Sequence, residues 1–174
     1  VGPPVGEGLL SGGCPPVGGA AARLLTDAAE RPFGPDAIAA PGDVVLLNER
    51  AAYVISAPAA LGQARTWYLY GGVPVDVVPL SGCAQAGPDQ FDALGFVVGS
   101  LNLVDFPAST LRLFRGESIE IVSDGSDGGP AIVDVHGVDD RFWLIELELI
   151  KRTFLAGGSK PMSAPYGMDM TLRY

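Results

Sequence analysis

Apolar and polar positions alternate along this chain in short runs, and the clearest case frames a turn. Residues 117–122 (Glu-Ser-Ile-Glu-Ile-Val) and 130–137 (Pro-Ala-Ile-Val-Asp-Val-His-Gly) flank Ser-Asp-Gly-Ser-Asp-Gly-Gly. Gly takes positive φ freely, and Asp and Ser bond their own backbone, so this pattern predicts a hairpin. Residues 43–49 and 52–57 are apolar runs with a polar break between them and predict two strands in tight connection. Residues 66–70 and 73–80 flank Gly71-Gly72 and predict a second hairpin. Pro74 and Pro79 push that strand toward a sheet edge, because Pro cannot donate to the ladder. Further strands are expected over 96–104, 110–114 and 142–150. In the last of these, Glu146 and Glu148 alternate with Ile145, Leu147 and Leu149.

Residues 168–174 (Met-Asp-Met-Thr-Leu-Arg-Tyr) alternate strictly to the last position. Met168, Met170, Leu172 and Tyr174 fall on one face, and Asp169, Thr171 and Arg173 on the other. Such a strand exposes an apolar face and open backbone groups unless it pairs. It is expected to pair with its own sheet, with a continuation of a longer natural chain, or with another copy or partner chain. A start at Val-Gly-Pro-Pro, without an initiator Met, also suggests a piece of something longer.

These runs predict an all-β fold, an antiparallel β-sandwich with at most one short helix. A short helix, or merely a turn or coil, is expected over Ala20–Arg31, the best helix-forming stretch, ended by Pro32. Residues 1–34 are read as a Gly/Pro-rich arm carrying that helix, and residues 35–174 as the β-sandwich domain. The 174 residues suffice for one well-filled core, and the 24 Gly and 15 Pro supply the turns an all-β chain needs.

A net charge of −9 disfavours nucleic acid, whose phosphates call for Lys and Arg, and anionic membrane surfaces. No apolar run is long enough for a membrane-spanning helix. Cys14 and Cys83 lie in Gly/Pro/Ser-rich surroundings and form no CxxC pair, which argues against zinc and for a disulfide in an oxidising compartment.

Catalytic chemistry finds little support. His136 is the sole histidine, and no nucleophile-elbow motif accompanies it. Asp124 and Asp127 offer oxygens to calcium, but they miss the EF-hand spacing, and turn chemistry explains them. Glu146 and Glu148 read as a solvent face rather than a glycosidase pair. Trp67, Tyr68, Tyr70 and Trp143 are candidates for a sugar-stacking platform, against the commoner reading of strand aromatics as core. No cofactor is expected.

Four segments then stand in one order: 41–55 (Pro-Gly-Asp-Val-Val-Leu-Leu-Asn-Glu-Arg-Ala-Ala-Tyr-Val-Ile), Tyr70-Gly-Gly with Asp76, 122–137 around the Asp-Gly-rich turn, and Met170-Thr-Leu-Arg-Tyr. This order resembles the N-terminal β-rich region of large bacterial envelope proteins, some carrying a CehA/McbA-type metallohydrolase domain of the PHP superfamily. The resemblance covers residues 35–174 and implies a supersandwich-like fold of the sugar-mutarotase kind. The metal-binding histidines of that hydrolase have no counterpart here, so its activity would belong to another segment. The expectation is a non-catalytic structural or docking module of a secreted or envelope protein. A carbohydrate-binding sandwich and an accessory domain of an envelope metallohydrolase are the alternatives.

Overall fold

The computed structural model describes residues 15, 17–60, 63–68, 70–82, 84–99, 111–141 and 166–174. The fold is all-β, with two antiparallel sheets packed as a sandwich. The first sheet has five strands in sequential order: β1 (Ala20–Leu24), β2 (Val44–Asn48), β3 (Ala51–Ile55), β4 (Pro74–Ser81) and β5 (Ala84–Gln85). The second has four, also in sequential order: β6 (Val97–Val98), β7 (Arg112–Asp124), β8 (Ala131–Arg141) and β9 (Asp169–Arg173).

The Asp-Gly-rich turn joins β7 to β8 in the expected hairpin, paired from Arg112↔Arg141 to Asp124↔Ala131. Gly125 and Gly128 take φ of 78° and 82° there, which a residue with a Cβ rarely adopts. The expected strands 43–49 and 52–57 are β2 and β3, joined where Asn48 accepts the N–H groups of Arg50 and Ala51.

The expected helix over 20–31 is corrected. Ala20–Leu24 is strand β1, paired with β2, and only Ala28–Glu30 turns, as a single 3-10 turn capped by Asp27. Alanine's helix propensity is a weak preference, and a neighbouring strand with an open edge outweighs it. This N-terminal stretch is therefore part of the sandwich.

The strand expected over 66–70 is also corrected: its described residues form bends, and β4 takes β3 as its partner. Pro79 sits opposite Ala51, and β5 pairs only with the end of β4. Most of the other edge of β4 is covered by coil, where Val77 donates to Asp89 and Pro74 accepts from Leu94. Of the strand expected over 96–104, Val97–Val98 form β6 and residues 100–104 lie outside the described residues; of that expected over 110–114, residues 112–114 begin β7 and residue 110 lies outside them. The run 142–150, with Trp143, Glu146 and Glu148, lies outside the described residues.

Alternation along β2 explains the two layers of core. Val44 and Leu46 face the second sheet and pack with Ala22, Val133, Ile119 and Ile121. Val45 and Leu47 face the other way and join Val54, Val78, Leu25, Ala39 and Tyr68. Coil, not a helix, covers that second face, so backbone N–H groups of the coil need buried acceptors.

Candidate functional site

Buried carboxylates supply those acceptors. Asp76 on β4 lies opposite Val54 and is fully buried. It accepts the N–H groups of Ile38 and Ala39 at 3.0 and 2.8 Å. Asp43, at the entry to β2, accepts from Ala40 and Ala57, each at 2.8 Å. Arg65 clamps the same carboxylate through Nη2 at 2.5 and 2.7 Å and reaches the Ile38 carbonyl through Nη1. Asp89 accepts from Val77 at 2.9 Å, while its Oδ2 has no hydrogen-bond partner among the described residues. Burial pushes the Asp76 carboxyl up to about 6, against the pull of its two backbone donors, and the charges of Asp89 and Asp43 add to the rise. Burial raises Asp89 as well.

Tyr68 and Tyr70 belong to this core, at 0% and 2% exposure. The Tyr68 hydroxyl donates toward the carbonyls of Phe96 and Phe114, at 2.9 and 2.5 Å, and so ties the two segments that begin the second sheet. Neither ring offers a stacking face. Trp67 stands edge-on to Tyr68, is 48% exposed, and is the only described member of the expected sugar platform with an open ring. Trp143 lies outside the described residues.

Asp124 and Asp127 hold the hairpin turn. Asp124 accepts from the Ser126 N–H at 2.9 Å, and Asp127 from the Gly129 N–H at 2.8 Å. Bonding to Ser126 holds the Asp124 carboxyl below its usual value. Asp139, the next Asp along β8 after Asp134, sits at the opposite end of the hairpin beside Phe114. Among the described residues no group of three or more His, Cys, Asp or Glu comes together as a metal site.

The expected Cys14–Cys83 disulfide is corrected: no disulfide is found among the described residues, and the bond is not supported. Both cysteines lie outside the described residues. A loop-like sequence context says nothing about spatial proximity, which a disulfide requires.

Polar chemistry concentrates on β9. Arg173 donates to both oxygens of Asp134 on β8, from Nε at 2.7 Å and from Nη2 at 2.6 Å. His136 Nδ1 lies 3.0 Å from Thr171 Oγ1, and its Nε2 lies 3.9 Å from Glu120. His136 is thus on the exposed face of the hairpin. Asp139 accepts the N–H groups of Tyr166 and Met168 at 2.5 and 2.7 Å, which fixes the entry to β9. On the other face Met170, Leu172 and Tyr174 pack against Ile55, Phe114 and Val135. The Tyr174 hydroxyl donates to the Gly72 carbonyl at 3.1 Å.

The backbone of β9 has a definite polarity. Tyr174 and Val133 exchange both N–H···O bonds, at 2.9 and 3.1 Å, and the register continues through Leu172↔Val135 and Met170↔Gly137. In an antiparallel ladder the intervening residues point their N–H and C=O groups the other way. Those residues are Asp169, Thr171 and Arg173, and no strand pairs with that edge among the described residues. β9 is not the only open edge: beyond Leu113 the outer edge of β7 pairs with no strand among the described residues. β5 and β6 have two residues each. β1 runs beside the hairpin turn, where a Cβ on Gly125 would meet the Ala20 carbonyl at 2.1 Å. The residues of the β9 edge were visible in the sequence as alternation. The acceptor role of Asp43, Asp76, Asp89 and Asp139 was not, since nothing in a lone Asp tells which backbone it will meet.

An open cleft of about 470 Å³ lies between Pro58–Ala60, Tyr70, Arg115, Glu117 and Asp140. Arg115 is paired there with Glu117 and Asp140, at 3.0 and 3.1 Å. No helix among the described residues is long and apolar enough to cross a membrane. Compared with known proteins, the chain matches no family model, no curated protein and no solved structure.

Proposed function

We propose that this chain is a non-catalytic β-sandwich module of a secreted or cell-envelope protein, and that it serves structure and docking. The observation that carries this reading is the outer edge of β9, a five-residue strand whose alternate N–H and C=O groups face away from β8. An extended segment added there would continue the sheet, the commonest way an open strand edge is used for recognition. The buried carboxylates support the same reading. Asp43, Asp76 and Asp139 use both oxygens to accept backbone N–H groups, and Asp89 uses one, which is scaffold work. Placement in the envelope, beside a metallohydrolase or another domain, rests on the sequence resemblance.

A photo-crosslinking residue at Thr171, in the cells that make the protein, tests the docking role. The reading expects a discrete protein adduct from position 171 and none from Asp127 at the far turn. No adduct, or equal adducts from both, contradicts it.

A second reading, carbohydrate binding, is favoured by one observation, the exposed ring of Trp67. A titration with plant and bacterial glycans, followed by Trp67 emission and repeated on Trp67→Ala, tests it. A saturable change that the substitution abolishes supports sugar binding; no change in the parent protein rejects it.

A further inference from the structure

On the reading that β9 is a docking edge, we propose that its occupant is a second copy of this chain, paired β9 to β9 in antiparallel fashion about Thr171. The outward backbone groups of Asp169, Thr171 and Arg173 allow several registers, and side-chain pairing selects among them. A two-fold axis at Met170 would set Asp169 against Thr171 and Arg173 against Gly167, and one at Leu172 would set Arg173 against Thr171, so neither brings opposite charges together. An axis at Asp169 or Arg173 would set a charge against its own like. An axis at Thr171 brings opposite charges together and sets no charge against its own like.

In that register Thr171 faces its own copy, and Asp169 faces the partner's Arg173, twice by symmetry. Between these, Met170 falls opposite the partner's Leu172, and Met168 opposite the partner's Tyr174. Every cross-strand pair therefore matches in kind: threonine with threonine, acid with base, apolar with apolar. The charged row is free to take part. Asp169 is exposed, and the Arg173 side chain remains 63% exposed while it holds Asp134. Met168 is 41% exposed at the rim of the apolar face and would gain cover. The net charge of −9 opposes association at long range, and physiological salt screens it beyond about 8 Å. The product is one sheet continuous across two chains.

Light scattering at 0.15 M salt and cysteine cross-linking test this directly. The protein should show twice its 18.0 kDa mass at micromolar concentration. Thr171→Pro removes the central outward N–H and the His136 contact but no β8 ladder bond, and should give a monomer that keeps the β fold by circular dichroism. Asp169→Arg should weaken the dimer about tenfold, since symmetry doubles the like-charge contact. With Cys14→Ser and Cys83→Ser as background, Thr171→Cys should oxidise to a covalent dimer. Opposed Cα atoms there lie about 5.5 Å apart, within disulfide range. Asp169→Cys should not, because its copies would lie about 14 Å apart. A dimer that cross-links equally at both positions, or that survives Thr171→Pro, overturns the proposal. A monomeric parent protein whose position 171 photo-crosslinks to a different protein overturns the second copy and leaves the docking role standing. A monomer with no adduct overturns both.

Discussion

Arg173 holds Asp134 through two parallel hydrogen bonds, and the pair bridges the edge strand β9 to its neighbour β8. Bidentate geometry of this kind is the strong form of the contact. Asp134 is nearly covered, and its carboxyl lies below its usual value because Arg173 bonds to it.

Arg173→Met should move the Asp134 titration midpoint up toward the ordinary carboxylate range, as read from its carboxyl ¹³C shift against pH. The sign of the stability effect follows. A depressed folded-state value gives stability that is present above the unfolded value and is lost as pH falls. The variant should therefore melt below the parent protein at pH 7, and the gap should close in acid. An unmoved Asp134 midpoint would show that the contact is not formed in solution.

Asp76 should titrate in the opposite sense. Its folded value of about 6 exceeds the ordinary 3.8. The folded state therefore holds its proton longer, and this contribution to stability is fully present below about pH 4 and is lost as pH rises through 6. Carboxyl ¹³C shifts should place the Asp76 midpoint near 6. A midpoint below 4 would mean that its two backbone donors outweigh burial.

Tyr68→Phe should destabilise the fold by about 1–2 kcal/mol in urea unfolding. The ring stays, but the carbonyls of Phe96 and Phe114 lose their buried donor. An unchanged midpoint would mean that water replaces the hydroxyl and that Tyr68 does not tie the start of the second sheet.

Gly137→Ala tests the close approach of β7 and β8. A Cβ at Gly137 would sit 2.1 Å from the Arg115 carbonyl and 2.9 Å from the Phe114 ring. Overpacking of this kind costs about 1–3 kcal/mol, and a lowered melting temperature should report it. A variant that melts with the parent protein would place the strands farther apart.

The sheet elements were legible wherever alternation and turn chemistry agreed. The β7–β8 hairpin is set by β-branched runs around an Asp-Gly turn, and β9 by strict alternation to Tyr174. Ala20–Leu24 misled because its alanines favour a helix locally, while the gain that makes it a strand comes from β2, twenty residues and more away. Gly71-Gly72 misled because Gly can serve close packing as well as a turn: Gly72 keeps its positive φ, but a Cβ on it would meet the Val135 side chain at 2.6 Å. Tyr68 and Tyr70 could be read as platform or core, and only burial decides between them. Which backbone groups of β9 face outward could not be read, since that depends on register with β8.

Residue-resolved amide exchange along β9 tests most directly the claim that this strand is a docking edge. It should be measured on the dilute chain and again on the protein in its native assembly. In the dilute chain the N–H groups of Met170, Leu172 and Tyr174 should be protected by β8, and those of Asp169, Thr171 and Arg173 should exchange freely. In the assembly the second set should become protected as well. If Asp169, Thr171 and Arg173 exchange at the same rate in both states, β9 is a bare edge and the docking role is wrong.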